Sequence, residues 1–147
     1  MKKHVVSRIL ILLSLLLLFA LQTGCFRLEM VPYYHDQSNY QSYTGVVTKI
    51  RYHQMNGAIA LYLDIEEQEP KLADYTFALE AENLTIAQEN GIDSLQVGTN
   101  VEFVSAPRYY GDGYIMPLVG LKAGNTIYLD REQGIANWIA LLDKRYK

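Results

Sequence analysis

Between Thr44 and Ile65 the side chains alternate on both sides of a single Asn-Gly pair, and this pattern limits the chain more than any other. Thr44, Val46, Thr48, Ile50 and Tyr52 share one face, with Lys49 and Arg51 on the other, and after Asn56-Gly57 the spacing returns in Ile59, Leu61, Leu63 and Ile65. A period of two in β-branched residues marks strands that lay one face on a core. Asn and Gly both tolerate the positive φ that a two-residue hairpin turn needs. The two runs are therefore expected to pair as a hairpin.

Gln68 to Leu72, with Pro70, interrupts the pattern, and Tyr75, Phe77 and Leu79 resume it as a third strand. Asn83 suits the N-cap of a short helix from Leu84 to about Glu89, which Asn90-Gly91 would close in a left-handed cap. Val97-Gly98-Thr99-Asn100 is a turn into a fourth strand from Val101 to Ser105, ended by Pro107. Two more strands, Tyr114 to Leu121 and Thr126 to Leu129, are joined through Ala123-Gly124-Asn125. Pro117 assigns the first of them to an edge or a bulge. Asp130 with Gln133 makes a capping box, and Ile135, Trp138, Ile139 and Leu142 then form the apolar stripe of a closing helix, with Trp138 expected to seal it against the sheet.

The expected fold is mainly β. Three strands, a short helix, then two or three strands is the order of an OB-like barrel of five to six strands, with a C-terminal amphipathic helix added. A sheet with helices on one face is the rival architecture.

Ahead of this domain, Lys2, Lys3 and Arg8 accompany an apolar run from Val5 to Leu21, and the chain's one cysteine, Cys25, follows it. A basic start, a greasy stretch and small residues at its end are the parts of an export signal. The segment Ala20-Leu21-Gln22-Thr23-Gly24-Cys25 resembles the lipobox of bacterial lipoprotein precursors, although Gln22 stands where that pattern has an apolar residue. The resemblance implies cleavage between Gly24 and Cys25 and lipidation of Cys25. Plain secretion and an uncleaved membrane helix are the alternatives. The expected organisation is a signal peptide over 1–24, a tether over 25–42, read as polar and without period, and one domain over 43–147. Its expected place is the extracytoplasmic face of a bacterial membrane, held by lipid.

Charge narrows the partners. Without residues 1–24, ten basic residues face sixteen acidic ones, a net charge of −6. An acidic module is not drawn to nucleic acid at long range, so no nucleic-acid partner is expected. The expected partners are the membrane, through the lipid, and an envelope protein, peptide or glycan.

Chemistry-bearing motifs are few. His35 and His53 stand in no metal-ligand spacing, and no nucleophile elbow or phosphate-cradling loop occurs. Asp64, Glu66, Glu67 and Glu69 crowd one segment but lack the calcium-loop register, and read as a solvated run. Neither a catalytic residue nor a cofactor or metal is expected. The most unusual stretch is Arg108-Tyr109-Tyr110-Gly111-Asp112-Gly113-Tyr114, where an arginine and three tyrosines surround two glycines. Arg108, Tyr109, Tyr110, Asp112 and Tyr114 are the candidate binding residues, since such loops present rings that stack on sugars or peptides. The expected role is a binding module, against a small envelope enzyme or an assembly subunit.

Overall fold

The computed structural model describes residues 30–146 except positions 56, 70, 71, 73 and 109–114. Residues 30–35 form a helical segment, α1. The strands are β1 (Gln41–Met55), β2 (Ala58–Glu67), β3 (Thr76–Glu80), β4 (Asn100–Ser105), β5 (Ile115–Ala123) and β6 (Thr126–Leu129). Helix α2 (Glu82–Glu89) lies between β3 and β4, and α3 (Arg131–Arg145) follows β6. Among the described residues no helix is long and apolar enough to cross a membrane.

The strands form one sheet in the order β3-β2-β1-β4-β5-β6, and β3 also pairs in parallel with β5. That pairing closes β1, β2, β3, β5 and β4 into a ring, with β6 attached to β5. The mainly β, OB-like order with a helix after the third strand is thus present. Met55 pairs with Ala58, so two residues make the first hairpin turn, as Asn-Gly predicts. Gly57, Gly91, Gly98 and Gly124 all have positive φ, at the turns the sequence marked.

Phe77 and Phe103 cross inside the ring with centroids 4.8 Å apart, and Leu61, Leu63, Leu79, Leu118 and Val47 are buried with them. Val47 corrects the expected face of β1. The expectation put Thr44, Val46 and Thr48 inward, but the β1–β2 register shifts between Val47 and Lys49. Thr48 is the extra residue of a bulge, so Val47 packs inward before it and Ile50 after it. A period of two cannot register an inserted residue.

Three further expectations change. Residues 30–42 are not a free tether: Met30, Tyr34 and Tyr40 are buried in a second apolar cluster with Ile135 and Leu142 of α3. Trp138 meets Tyr34 edge to face at 5.4 Å, so the helix stripe is covered by the N-terminal segment as well as by β5. Asn83 is not the N-cap of α2. Ala81 holds that place at φ 52°, while Asn83 is buried, its Nδ2 donating to the Gly134 carbonyl at 3.0 Å and its Oδ1 accepting from Asn137 Nδ2 at 3.0 Å. An interior carbonyl needs a donor, and the amide serves it. Asp130, by contrast, caps α3 as expected, accepting from the backbone of Glu132 and Gln133.

Pro117 sits beside a bulge, one of its two expected positions. Ser105 pairs with Leu118 and Val104 with Gly120, leaving Val119 as the extra residue. The Val119 carbonyl is thereby pushed toward α3. A Cβ on Gly134 would come within 2.0 Å of that oxygen, so the helix seats on the sheet only because this position lacks a side chain.

Candidate binding groove

At one mouth of the ring, an open groove of about 640 Å³ lies between the start of β1 and the end of β2. Tyr33, Tyr43 and Tyr75 line it together with Glu67, Glu69 and Glu102. Each residue arrives there for a local reason. Glu67 continues the inward phase of Leu61, Leu63 and Ile65 one step beyond the core, so its carboxylate meets the mouth instead of the interior. Tyr43 is in the same inward phase on β1, stacked on Phe103 at 5.4 Å. Tyr33 belongs to α1 and is fixed by its hydroxyl, which donates to the Pro107 carbonyl at 2.9 Å, while Asn39 Nδ2 donates to the Tyr33 carbonyl at 2.7 Å.

The electrostatic character of the groove is negative. The Tyr43 hydroxyl is pushed up to about 12, first by burial, then by the charge of Glu67 and by Tyr33. Both effects disfavour a phenolate. Glu102 on β4 is held by Lys122 of β5, Nζ to Oε2 2.8 Å. Rings for apolar contact beside carboxylates and amides that accept and donate hydrogen bonds are the equipment of a site for a polyhydroxylated or peptidic ligand. The volume is within the range of about 300–1,000 Å³ usual for such sites.

Of the candidate binding residues, Arg108 alone is described. It is half-buried, its Cζ 5.4 Å from the Tyr33 ring and its Nη1 3.7 Å from Met30 Sδ, so it joins the base of the loop to α1. Tyr109, Tyr110, Asp112 and Tyr114 lie outside the described residues, as do Gly24 and Cys25. Pro107, immediately before Arg108, lines the groove.

The acidic run divides between two surfaces. Asp64 is on the outer face of β2, where Oδ1 accepts from Arg51 Nη2 at 3.0 Å and from Thr76 Oγ1 at 2.9 Å. Glu67 is at the mouth. Strand alternation separates them, and among the described residues no three His, Cys, Asp or Glu side chains gather as metal ligands. His35 joins α1 to α3, its Nε2 3.0 Å from Asp143 Oδ1, and His53 is exposed on the outer face of β1.

Tyr33, Tyr43, Glu67 and Glu102 were missed as a site. A signal existed for two of them: Tyr43 and Glu67 extend the hairpin's inward alternation past its apolar end. Nothing in the sequence brings Tyr33 to them. No protein-family model, curated protein or solved structure matches the chain.

Proposed function

We propose that this chain is a binding module of the bacterial cell envelope, tethered by lipid at Cys25 on the extracytoplasmic face and taking a glycan or peptide in the tyrosine-lined groove. The observation that carries the reading is the groove itself, a polar and aromatic hollow at the ring mouth with Tyr33, Tyr43, Glu67 and Glu102 in its walls. The leader supports the location: basic residues, an apolar run and Gly24-Cys25 in sequence. Lipid on the cysteine also gives an unpaired thiol a use in an oxidising compartment. Two or more acyl chains hold a protein firmly where one does not.

Two measurements test the two halves separately. The intact mass of membrane-extracted protein is expected to match residues 25–147 plus lipid, and Cys25→Ser is expected to abolish that species. Titration calorimetry of the extracted protein with envelope glycan fragments and with peptides is expected to give binding that Tyr43→Ala and Glu102→Gln each weaken about tenfold, roughly 1.4 kcal/mol. Binding unaltered by both changes removes the groove from the account. An unmodified initiator methionine on native protein removes the tether.

A further inference from the structure

The outward face of β1 carries a second surface of opposite charge. Past the bulge at Thr48, Lys49, Arg51 and His53 fall at every second position and all three are exposed. Along a strand such residues are about 6.7 Å apart. β4 pairs with β1 only through Val46, so the stripe runs along a stretch of β1 that β4 leaves clear.

One member of the stripe is held in place. Arg51 Nη2 donates to Asp64 Oδ1 at 3.0 Å, Asp64 is itself anchored by Thr76 Oγ1 at 2.9 Å, and the guanidinium carbon is 5.6 Å from the Tyr62 ring centroid. The side chain remains 44 % exposed. The His53 ring is 6.0 Å from the same Tyr62 ring. Cations on an open strand also deter pairing with another chain, yet that purpose needs no fixed geometry. A guanidinium held by a carboxylate below a ring is a prepositioned donor for an anion. Beside it lies a hollow of about 560 Å³ lined by Arg51, Tyr52, His53, Tyr62 and Ile115. Ile115 is about half exposed, at 49 %, and gives it an apolar wall.

We propose that this face binds an anionic glycan, a chain of sugar rings carrying carboxylate or phosphate groups. The C–H face of a ring meets Ile115, and its anionic group accepts from Arg51 with Lys49 and His53 on either side. Apolar wall and cations together distinguish this ligand from a bare polyphosphate. Lipid head groups are the poorer fit, because the stripe lies about 25–40 Å along β1 from the strand's start beside α1. The surface is separate from the tyrosine-lined groove and stands if that groove fails its own test.

The test uses the full chain purified from membranes in detergent. Its probes are polygalacturonate, dextran phosphate and neutral dextran, with phosphatidylglycerol vesicles and a single-stranded oligonucleotide as rival ligands. We expect binding of at least one anionic glycan, none of dextran, and at least a tenfold loss at high salt. Arg51→Gln is expected to weaken binding at least tenfold. The double change Lys49→Gln with His53→Gln leaves the Arg51 clamp intact, and is expected to weaken it several-fold, so it decides the matter if Arg51→Gln fails to fold. Binding of neither anionic glycan overturns the proposal, as do dextran bound equally well, tighter binding of vesicles or oligonucleotide, or indifference to these changes.

Discussion

Replacing Gly134 by alanine puts the seating of α3 on the sheet to a direct test. Helix propensity alone favours the change by about 1 kcal/mol, since Gly is the poorest residue short of Pro in a helix interior. The tertiary structure opposes it. The new Cβ would stand 2.0 Å from the Val119 oxygen and 2.7 Å from its carbonyl carbon, both backbone atoms, with Leu129 Cδ2 at 3.1 Å. Neither backbone atom can rotate away, so α3 must lift by about 1 Å or more to reach a contact that proteins tolerate. Overpacking of this kind costs about 1–3 kcal/mol. Lifting α3 also stretches the bond from Asn83 Nδ2 to the Gly134 carbonyl, 3.0 Å in the native arrangement. A buried polar group left unpaired costs about 1–3 kcal/mol more. After the propensity gain, the net loss is about 3 kcal/mol, or a fall of roughly 10 °C in Tm for a domain of this size. Thermal melting of the wild type and of Gly134→Ala, followed by circular dichroism, reads it. A Tm equal to or above that of the wild type would refute the seating of α3 on the Val119 bulge.

Other outcomes follow from single residues. Ala81 is the one described non-glycine residue with positive φ, at 52°, and Ala81→Gly is expected to raise stability by about 1 kcal/mol in chemical denaturation; a loss would refute strain at that position. Tyr43 ionises near 12 in the folded protein against about 10 in the unfolded chain, so its contribution is intact below pH 10 and is lost as pH rises from about 10 to about 12. Spectrophotometric titration should show this late phenolate disappear in Tyr43→Phe and shift to lower pH in Glu67→Gln. A Tyr43 phenolate already formed near pH 10 would remove Glu67 and burial as its causes.

Much of the fold could be read because its determinants are local. Asn56-Gly57, the alternation from Ile59 to Ile65, Gly91 closing α2 and Asp130 opening α3 each act within a few residues, where turn geometry, pleat and capping decide the conformation. The binding surfaces could be read only in part. Arg108 was singled out by composition, yet it braces α1 through Tyr33. Tyr33 and Tyr40 fall in a short segment without a period, and their partners, the Pro107 carbonyl and the apolar stripe of α3, lie far along the chain. Glu67 looked like one of four solvated acids until alternation and ring closure set it at the mouth and Asp64 beneath Arg51.

The residues by themselves determined the six strands, α2 and α3, the turns between them and the acidic balance, since all of these depend on neighbours in sequence. Tertiary structure alone decided that β3 joins β5, that the bulges at Thr48 and Val119 change which side chains face inward, and that Tyr33, Tyr43, Glu67 and Glu102 share one groove. Those outcomes depend on contacts between residues tens of positions apart. Their energy exists only once the ring has closed.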